Sequence, residues 1–386
     1  MNLRRLLPVL IHPVTSLTIL PLMMLAGCLR FGFHLKWAVV NLVGGTFFVL
    51  GYLIGKKVRD ELVALLATLL IFLMVWVSFR WAIGELLAML ISFLWTASFI
   101  QASILNERLS RDNKYPLAIL ALYALGVVLT VHSSLVNGGW ERIRSLPNTP
   151  EEGAFGMFLI MITFPFLGWR ALNYSTGRHK TLAFIFILFT SFIMMLHGFR
   201  SDVIMIILST TILLIGAKKG SQAMLLISSV LIIFLAVDVI RFEAKLSIID
   251  RVAYRLATTY QYSSEVLNVF WGNTPPIPLW IYSIPIHPTQ LIGRAIFLKD
   301  YGITTSLFCG FFIVNGFPTL LVFSTLMGVF SSYSYRKFLN GDPLPYSLVW
   351  PLIITRMEVG MTQLDIVVLA AAASFKSVGS ILDRGA

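Results

Sequence analysis

Apolar stretches long enough to cross a bilayer recur from one end of this chain to the other, and that recurrence limits it to one kind of fold. A backbone in lipid has to satisfy its own N–H and C=O groups, which continuous helices do and open loops do not. With 57% hydrophobic and 12% charged residues and a mean hydropathy of +0.83, the composition is that of a polytopic membrane protein, not of a soluble domain. Hydropathy predicts spanning helices at about residues 8–28, 37–55, 62–79, 86–105, 117–135, 155–172, 181–198, 202–217, 221–239, 306–330, 344–356 and 359–375. The expected fold class is therefore all-α and polytopic, with about twelve transmembrane helices in a single transmembrane domain over residues 1–386.

Charge placement orients these spans. With the N-terminus in the cytoplasm, the inner segments carry Arg4, Arg5, Lys56, Lys57, Arg59, Arg108, Arg111, Lys114, Arg170, Arg178, Lys180, Lys218, Lys219, Arg336, Lys337, Lys376 and Arg384, seventeen in all. The short outer turns carry seven: Arg30, Lys36, Arg80, Arg142, Arg144, Arg200 and Arg356. Seventeen against seven follows the positive-inside rule, so both termini are expected in the cytoplasm of a multi-pass cell-membrane protein. The long segment 240–305 is then an extracytoplasmic loop. The net charge of +12 follows largely from this topology and does not point to nucleic acid.

Leu25-Ala26-Gly27-Cys28, after Arg4, Arg5 and an apolar run, has the form of a lipoprotein cleavage box. The alternative is the small-residue end of a first span. Cys28 and Cys309 both fall near the outer surface in this topology, where they either pair or pack independently.

No Gly-Lys-Ser/Thr phosphate loop, Gly-x-Ser-x-Gly elbow, His-Glu-x-x-His or paired-cysteine metal site is present, so neither a metal nor a cofactor is called for. What remains is arginine on the outer side. Of the thirteen basic residues placed there ten are Arg and three Lys, whereas the inner set holds nine Arg and eight Lys. The planar guanidinium pairs bidentately with phosphate oxygens and keeps its charge when partly desolvated, which suits a phosphorylated, anionic ligand.

Three clusters carry this signal. His197-Gly198-Phe199-Arg200-Ser201-Asp202 reads as a tight outer turn, with Arg200 at the level of a lipid diphosphate. Thr355-Arg356-Met357-Glu358 repeats the pattern late in the chain. Each arginine also has a structural reading, snorkelling to headgroups or pairing with a neighbouring carboxylate. The third cluster is the loop itself. Ser247-Ile248-Ile249-Asp250 has the form of a helix start, and no Gly or Pro follows from Arg251 to Phe270. Arg251, Arg255, Thr258, Tyr262 and Glu265 would line one face of that helix, and Val252, Leu256, Ser263 and Val266 a mostly apolar one. This predicts an amphipathic helix lying on the outer membrane surface. Beyond it, Pro275, Pro276, Pro278, Pro285 and Pro288 exclude regular helix. Trp271, Trp280 and Tyr282 offer flat faces to sugar rings or to the membrane interface, and His287 and Arg294 precede the next span.

The Gly-x-Arg turn at Arg200, the long outer loop ahead of the stretch from Gly302 to Pro318, and the late Arg356 resemble the oligosaccharide repeat-unit polymerases. These are the Wzy-type O-antigen and exopolysaccharide polymerases, related in plan to O-antigen ligases. The likeness is one of layout and covers residues of about 190 to 375. It implies a GT-C-like membrane glycosyltransferase acting on polyprenyl-diphosphate-linked oligosaccharide at the outer face, with a flippase and a chain-length regulator as candidate partners. On this reading Arg200 and Arg255 take the diphosphate, with Arg251, Arg294 and Arg356 as further anionic contacts. His287, Glu265 or Asp202 would orient or deprotonate the acceptor hydroxyl. An O-antigen-ligase-like transferase would share most of this layout. A lipid-linked oligosaccharide flippase or transporter is expected to carry ionisable or helix-breaking residues within several spans and related halves, whereas here the polar density sits in one asymmetric loop.

Overall fold

The computed structural model describes residues 11–111, 117–137, 151–174, 200–217, 248–272 and 304–359, with shorter pieces within 185–193, 293–297 and 366–377. Among the described residues there is no strand. A 3-10 turn, Pro13–Thr18, leads into α1 (Ile19–Phe31), followed by α2 (Leu35–Gly55), α3 (Asp60–Ile83), α4 (Glu85–Arg111) and α5 (Leu117–Val136). Then come α6 (Glu151–Tyr174), α7 (Arg200–Gly216), α8 (Ile248–Phe270), α9 (Leu307–Asn315), α10 (Phe317–Leu339) and α11 (Leu344–Val359).

Six of the described helical stretches are long and apolar enough to cross a membrane: Pro13–Phe31, Leu35–Gly55, Asp60–Val77, Glu85–Ile104, Ile119–Val136 and Phe317–Leu339. The spans expected at 155–172 and 202–217 are helical, with shorter apolar cores at Phe155–Gly168 and Ile204–Gly216. That expected at 359–375 is helical at 359, 366 and 368–375, whereas those expected at 181–198 and 221–239 fall largely or wholly outside the described residues.

One expected span is not a single helix. The stretch 306–330 breaks at Gly316, whose φ of 69° is a conformation that side-chain-bearing residues seldom adopt. Hydropathy runs through the break without a dip, but Asn315-Gly316 ends α9 and Pro318 sits in the first turn of α10, where its missing N–H costs nothing. The first piece has only nine residues, roughly 13 Å of helix, and is too short to span. Leu307 to Val314 are all buried, so α9 is a core element.

The chain forms two compact units. The first comprises Met1–Glu107, Ala244–Arg336 and Arg356–Ala386. Small residues set its packing. A Cβ at Gly55 would lie 2.7 Å from the Val329 carbonyl oxygen, and one at Gly328 would lie 2.6 Å from the Tyr52 nitrogen, so α2 and α10 cross backbone against backbone. Where α10 nears its end, the Arg336 guanidinium donates to the carbonyls of Lys56 (3.0 Å) and Val58 (2.7 Å) and lies 3.5 Å from Asp60. It thereby ties down the turn between α2 and α3 and satisfies carbonyls that the end of α2 leaves open.

The second unit comprises Arg108–Glu243 and Lys337–Thr355. There α5 and α6 approach through Gly126 and Gly156, and a Cβ at Gly156 would stand 2.6 Å from Thr130 Oγ1. Tyr123, Ile160, Phe164, Ile206 and Leu213 form its core, with the Tyr123 hydroxyl bonded to Thr190 Oγ1 at 2.7 Å.

Candidate functional site

The loop helix is the element around which the first unit's candidates gather. As expected, it starts directly after Ser247, carries Asp250 in its first turn and runs to Phe270. Its buried face is the expected one in part: Ser263 and Val266 are buried and Leu256 half-buried, Ala257, Tyr260, Ser264 and Leu267 are buried with them, and Val252, assigned to that face, is 55% exposed. The helix packs along α1 and against α2 and α9. Small and hydroxyl-bearing residues fill such a close seam better than large apolar ones, and a hydropathy pattern does not register them.

Tyr260 is the centre of that seam. Its ring lies over Gly27 of α1 and 4.8 Å from the ring of Trp37 on α2. Its hydroxyl accepts from the His34 N–H at 2.8 Å and donates to the Gly32 carbonyl at 3.1 Å, so it holds the turn between α1 and α2. The Cys28 thiol lies 3.6 Å from the same oxygen. Burial pushes the Tyr260 phenol up to about 12, and the Cys28 contact adds to the shift, so the group stays neutral and serves as an anchor and not as an acid or base.

One turn further on, Ser263 Oγ accepts from the Ser306 N–H at 2.8 Å. Ser306 Oγ donates to Asn41 Oδ1 at 3.1 Å, and Asn41 Nδ2 donates to the Trp37 carbonyl at 2.9 Å and to Cys309 Sγ at 3.3 Å. Thr259 and Thr304 pair through their hydroxyls at 3.2 Å. This buried chain bolts α8 to α2 and to the start of α9. It also separates the two cysteines: both are free thiols, Cys28 beside Tyr260 and Cys309 beside Asn41.

Of the predicted polar stripe of α8, Thr258 and Tyr262 are half-buried. Arg255 is exposed, and Glu265 is half-buried, its Oε1 accepting from Gln261 Nε2 at 2.8 Å. Ten residues separate them, roughly 15 Å along the axis, so they do not serve one atom. Arg251 lies in the first turns of the helix, at the Arg255 end. At the opposite end the half-buried Trp271 stacks on Phe312 of α9 at 5.4 Å, meets Phe317 edge-on, and has Lys36 Nζ 5.8 Å from its ring.

The remaining candidates lie elsewhere. Arg200, Ser201 and Asp202 form the first turn of α7, so the expected tight turn is helical from Arg200 onward. Those residues belong to the second unit. The first N–H groups of a helix lack intrahelical partners, which is why a helix start favours an anion. Thr355 to Glu358 likewise form the last turn of α11 and not an inter-helix turn, because the helix continues through Val359; Arg356 is half-buried there. His287, Arg294, Trp280 and Tyr282 lie outside the described residues. Tyr260, Asn41 and Ser306 had no signal in the sequence, since the bonds of Tyr260 to His34 and of Ser306 to Asn41 each join residues more than two hundred positions apart.

Helices of bilayer length, with no strand among the described residues, define the class: an all-α, multi-pass membrane protein. Residues 61–370 match the family model described as "Putative O-antigen polymerase". The chain belongs to that family, and so to the membrane proteins of polysaccharide biosynthesis. No curated protein and no solved structure matches it.

Proposed function

We propose that this protein joins polyprenyl-diphosphate-linked oligosaccharide repeat units by glycosyl transfer at the outer face of the membrane. The observation that carries the reading is the family match, which takes in α8 together with Arg200 and Arg356. About twelve spans in a GT-C-like arrangement would place both termini in the cytoplasm and residues 240–305 outside.

In this reaction an acceptor hydroxyl on one lipid-linked unit attacks the anomeric carbon of another. The bond from that carbon to the diphosphate oxygen breaks, the polyprenyl diphosphate leaves with the electron pair, and the hydroxyl proton passes to a base. Arg200 and Arg255 are the first groups assigned to diphosphate, with Arg251, Arg294 and Arg356 as further contacts. A fixed guanidinium stabilises the charge that develops on the leaving oxygen without requiring a metal. Glu265, whose Oε1 is held by Gln261, and His287 are the candidates for the base, with Asp202 as a third. The length of the α8 stripe supports a division of labour, anionic groups at the Arg255 end and glycan toward Glu265 and Trp271, with Trp280 and Tyr282 as further sugar contacts. A flippase to deliver the substrate and a regulator of chain length are the partners such a reaction would use.

The test is purified protein in a bilayer with a synthetic lipid-linked repeat unit. A ladder of glycan multiples on lipid is the expected product. Transfer of one block to a different acceptor would indicate a ligase, and movement of substrate across the bilayer without bond formation would indicate a transporter; either overturns the proposal.

A further inference from the structure

Arg30 closes α1 at the same end of the first unit as the arginines of the loop helix. Its guanidinium carbon lies 4.6 Å from the centre of the Tyr254 ring and 5.7 Å from that of Phe31. Tyr254 is 51% exposed and directly precedes the exposed Arg255, with Arg251 three residues before it, one helical turn away. Among the described residues Arg30 forms no ion pair, and it is itself exposed. The arrangement is fixed from below, because Tyr260 clamps the turn that follows Arg30 through His34 and Gly32.

An aromatic face holds a guanidinium in a set plane by its electron-rich surface while leaving the N–H edge open. That edge is the part which pairs with phosphate oxygens. Arg30 thus presents its N–H edge beside the residue that the exposed Arg255 follows in sequence. A guanidinium held on a ring next to a second arginine suits a ligand with several negative oxygens more than a single headgroup phosphate.

We infer that Arg30, set by Tyr254, extends the arginine face of α8 onto the first helical hairpin and binds the diphosphate of a polyprenyl-linked substrate. The inference rests on the proposed polymerase reading for the identity of the ligand. It adds a binding residue more than two hundred positions from the loop in sequence.

The experiment measures binding of glycan-free polyprenyl diphosphate to the full chain in phosphatidylcholine nanodiscs, separately from polymer formation. Arg30→Gln is expected to weaken binding roughly 10- to 100-fold, the loss of a charge-assisted contact, and Arg30→Lys to fall between it and the wild type. Tyr254→Phe keeps the ring and should retain affinity, while Tyr254→Leu should weaken it several-fold by releasing the guanidinium. The Tyr254 pair also decides the matter if Arg30→Gln does not fold. Wild-type affinity in Arg30→Gln, or equal losses in Tyr254→Phe and Tyr254→Leu, overturns the inference. So does displacement of the diphosphate by phosphatidylglycerol at equal membrane fraction, which marks an ordinary headgroup site. Arg30-dependent binding without any glycan ladder would sink the polymerase reading and leave this site standing. A ladder whose KM, like the binding, ignores Arg30 would do the reverse.

Discussion

Gly27→Ala tests the seam that positions the loop helix. A Cβ at residue 27 would lie 2.8 Å from the Tyr260 Cβ and closer still to two of its ring carbons. Carbon atoms settle at roughly 3.5–4.0 Å, so the ring must retreat by about 1 Å or more. It has little room: Trp37 stands beside it, and its hydroxyl is engaged with the His34 N–H and the Gly32 carbonyl. Overpacking costs about 1–3 kcal/mol and each lost hydrogen bond about 1 kcal/mol, against which alanine returns about 1 kcal/mol of helix propensity. The expected net destabilisation is roughly 2–4 kcal/mol. A dye that fluoresces on reacting with thiols would follow it, since Cys309 is fully buried and Cys28 lies beside the Tyr260 hydroxyl. The midpoint of thermal unfolding should fall by several degrees, with Cys28 labelled faster before the transition. In a Tyr260→Ala background the ring clash is gone, so the same glycine substitution should cost much less, giving a coupling between the two sites. Equal costs in both backgrounds, or a Gly27→Ala protein that melts with the wild type, would refute the packing argument.

Three further outcomes follow from the proposed reaction. Arg200→Lys keeps the charge but loses bidentate geometry and should slow polymerisation about ten- to a thousandfold in matched amounts of folded protein, with Arg144→Lys as control; wild-type yield would remove the bidentate role. Polymerisation should survive thorough chelation by EDTA, and loss followed by recovery with magnesium or manganese would move the phosphate chemistry to other groups. For topology, Ser263 is buried and bonded to Ser306, so the exposed Asn268 is the better reporter on the same helix. Asn268→Cys should react with an impermeant reagent from the extracytoplasmic side, and labelling only from the cytoplasm would reverse the proposed orientation.

Much of the helical layout could be read from hydropathy, because the bilayer imposes one length scale and the backbone has one way to meet it. Segments such as 37–55 and 62–79 were placed within a few residues of α2 and α3. The start of α8 after Ser247 was legible for a local reason, a capping sequence followed by a run free of Gly and Pro. Its polar stripe was legible as well, since the positions of Arg255 and Glu265 follow from helical periodicity. The break at Gly316 was not found by a sliding average, although Asn315-Gly316 and Pro318 wrote it into the sequence.

The amino-acid sequence by itself determined that this chain is helical and membrane-embedded, and which side chains of α8 share a stripe, because those properties depend on neighbours within a few turns. Which face of α8 is buried depended on Gly27, Gly32 and His34, more than two hundred residues away. The association of Arg30 with Tyr254, and the chain of bonds from Ser263 through Ser306 to Asn41, likewise existed only after the helices had packed. Such contacts are set by the fit of small residues and by the need to pair buried polar groups, and neither leaves a periodic trace along the chain.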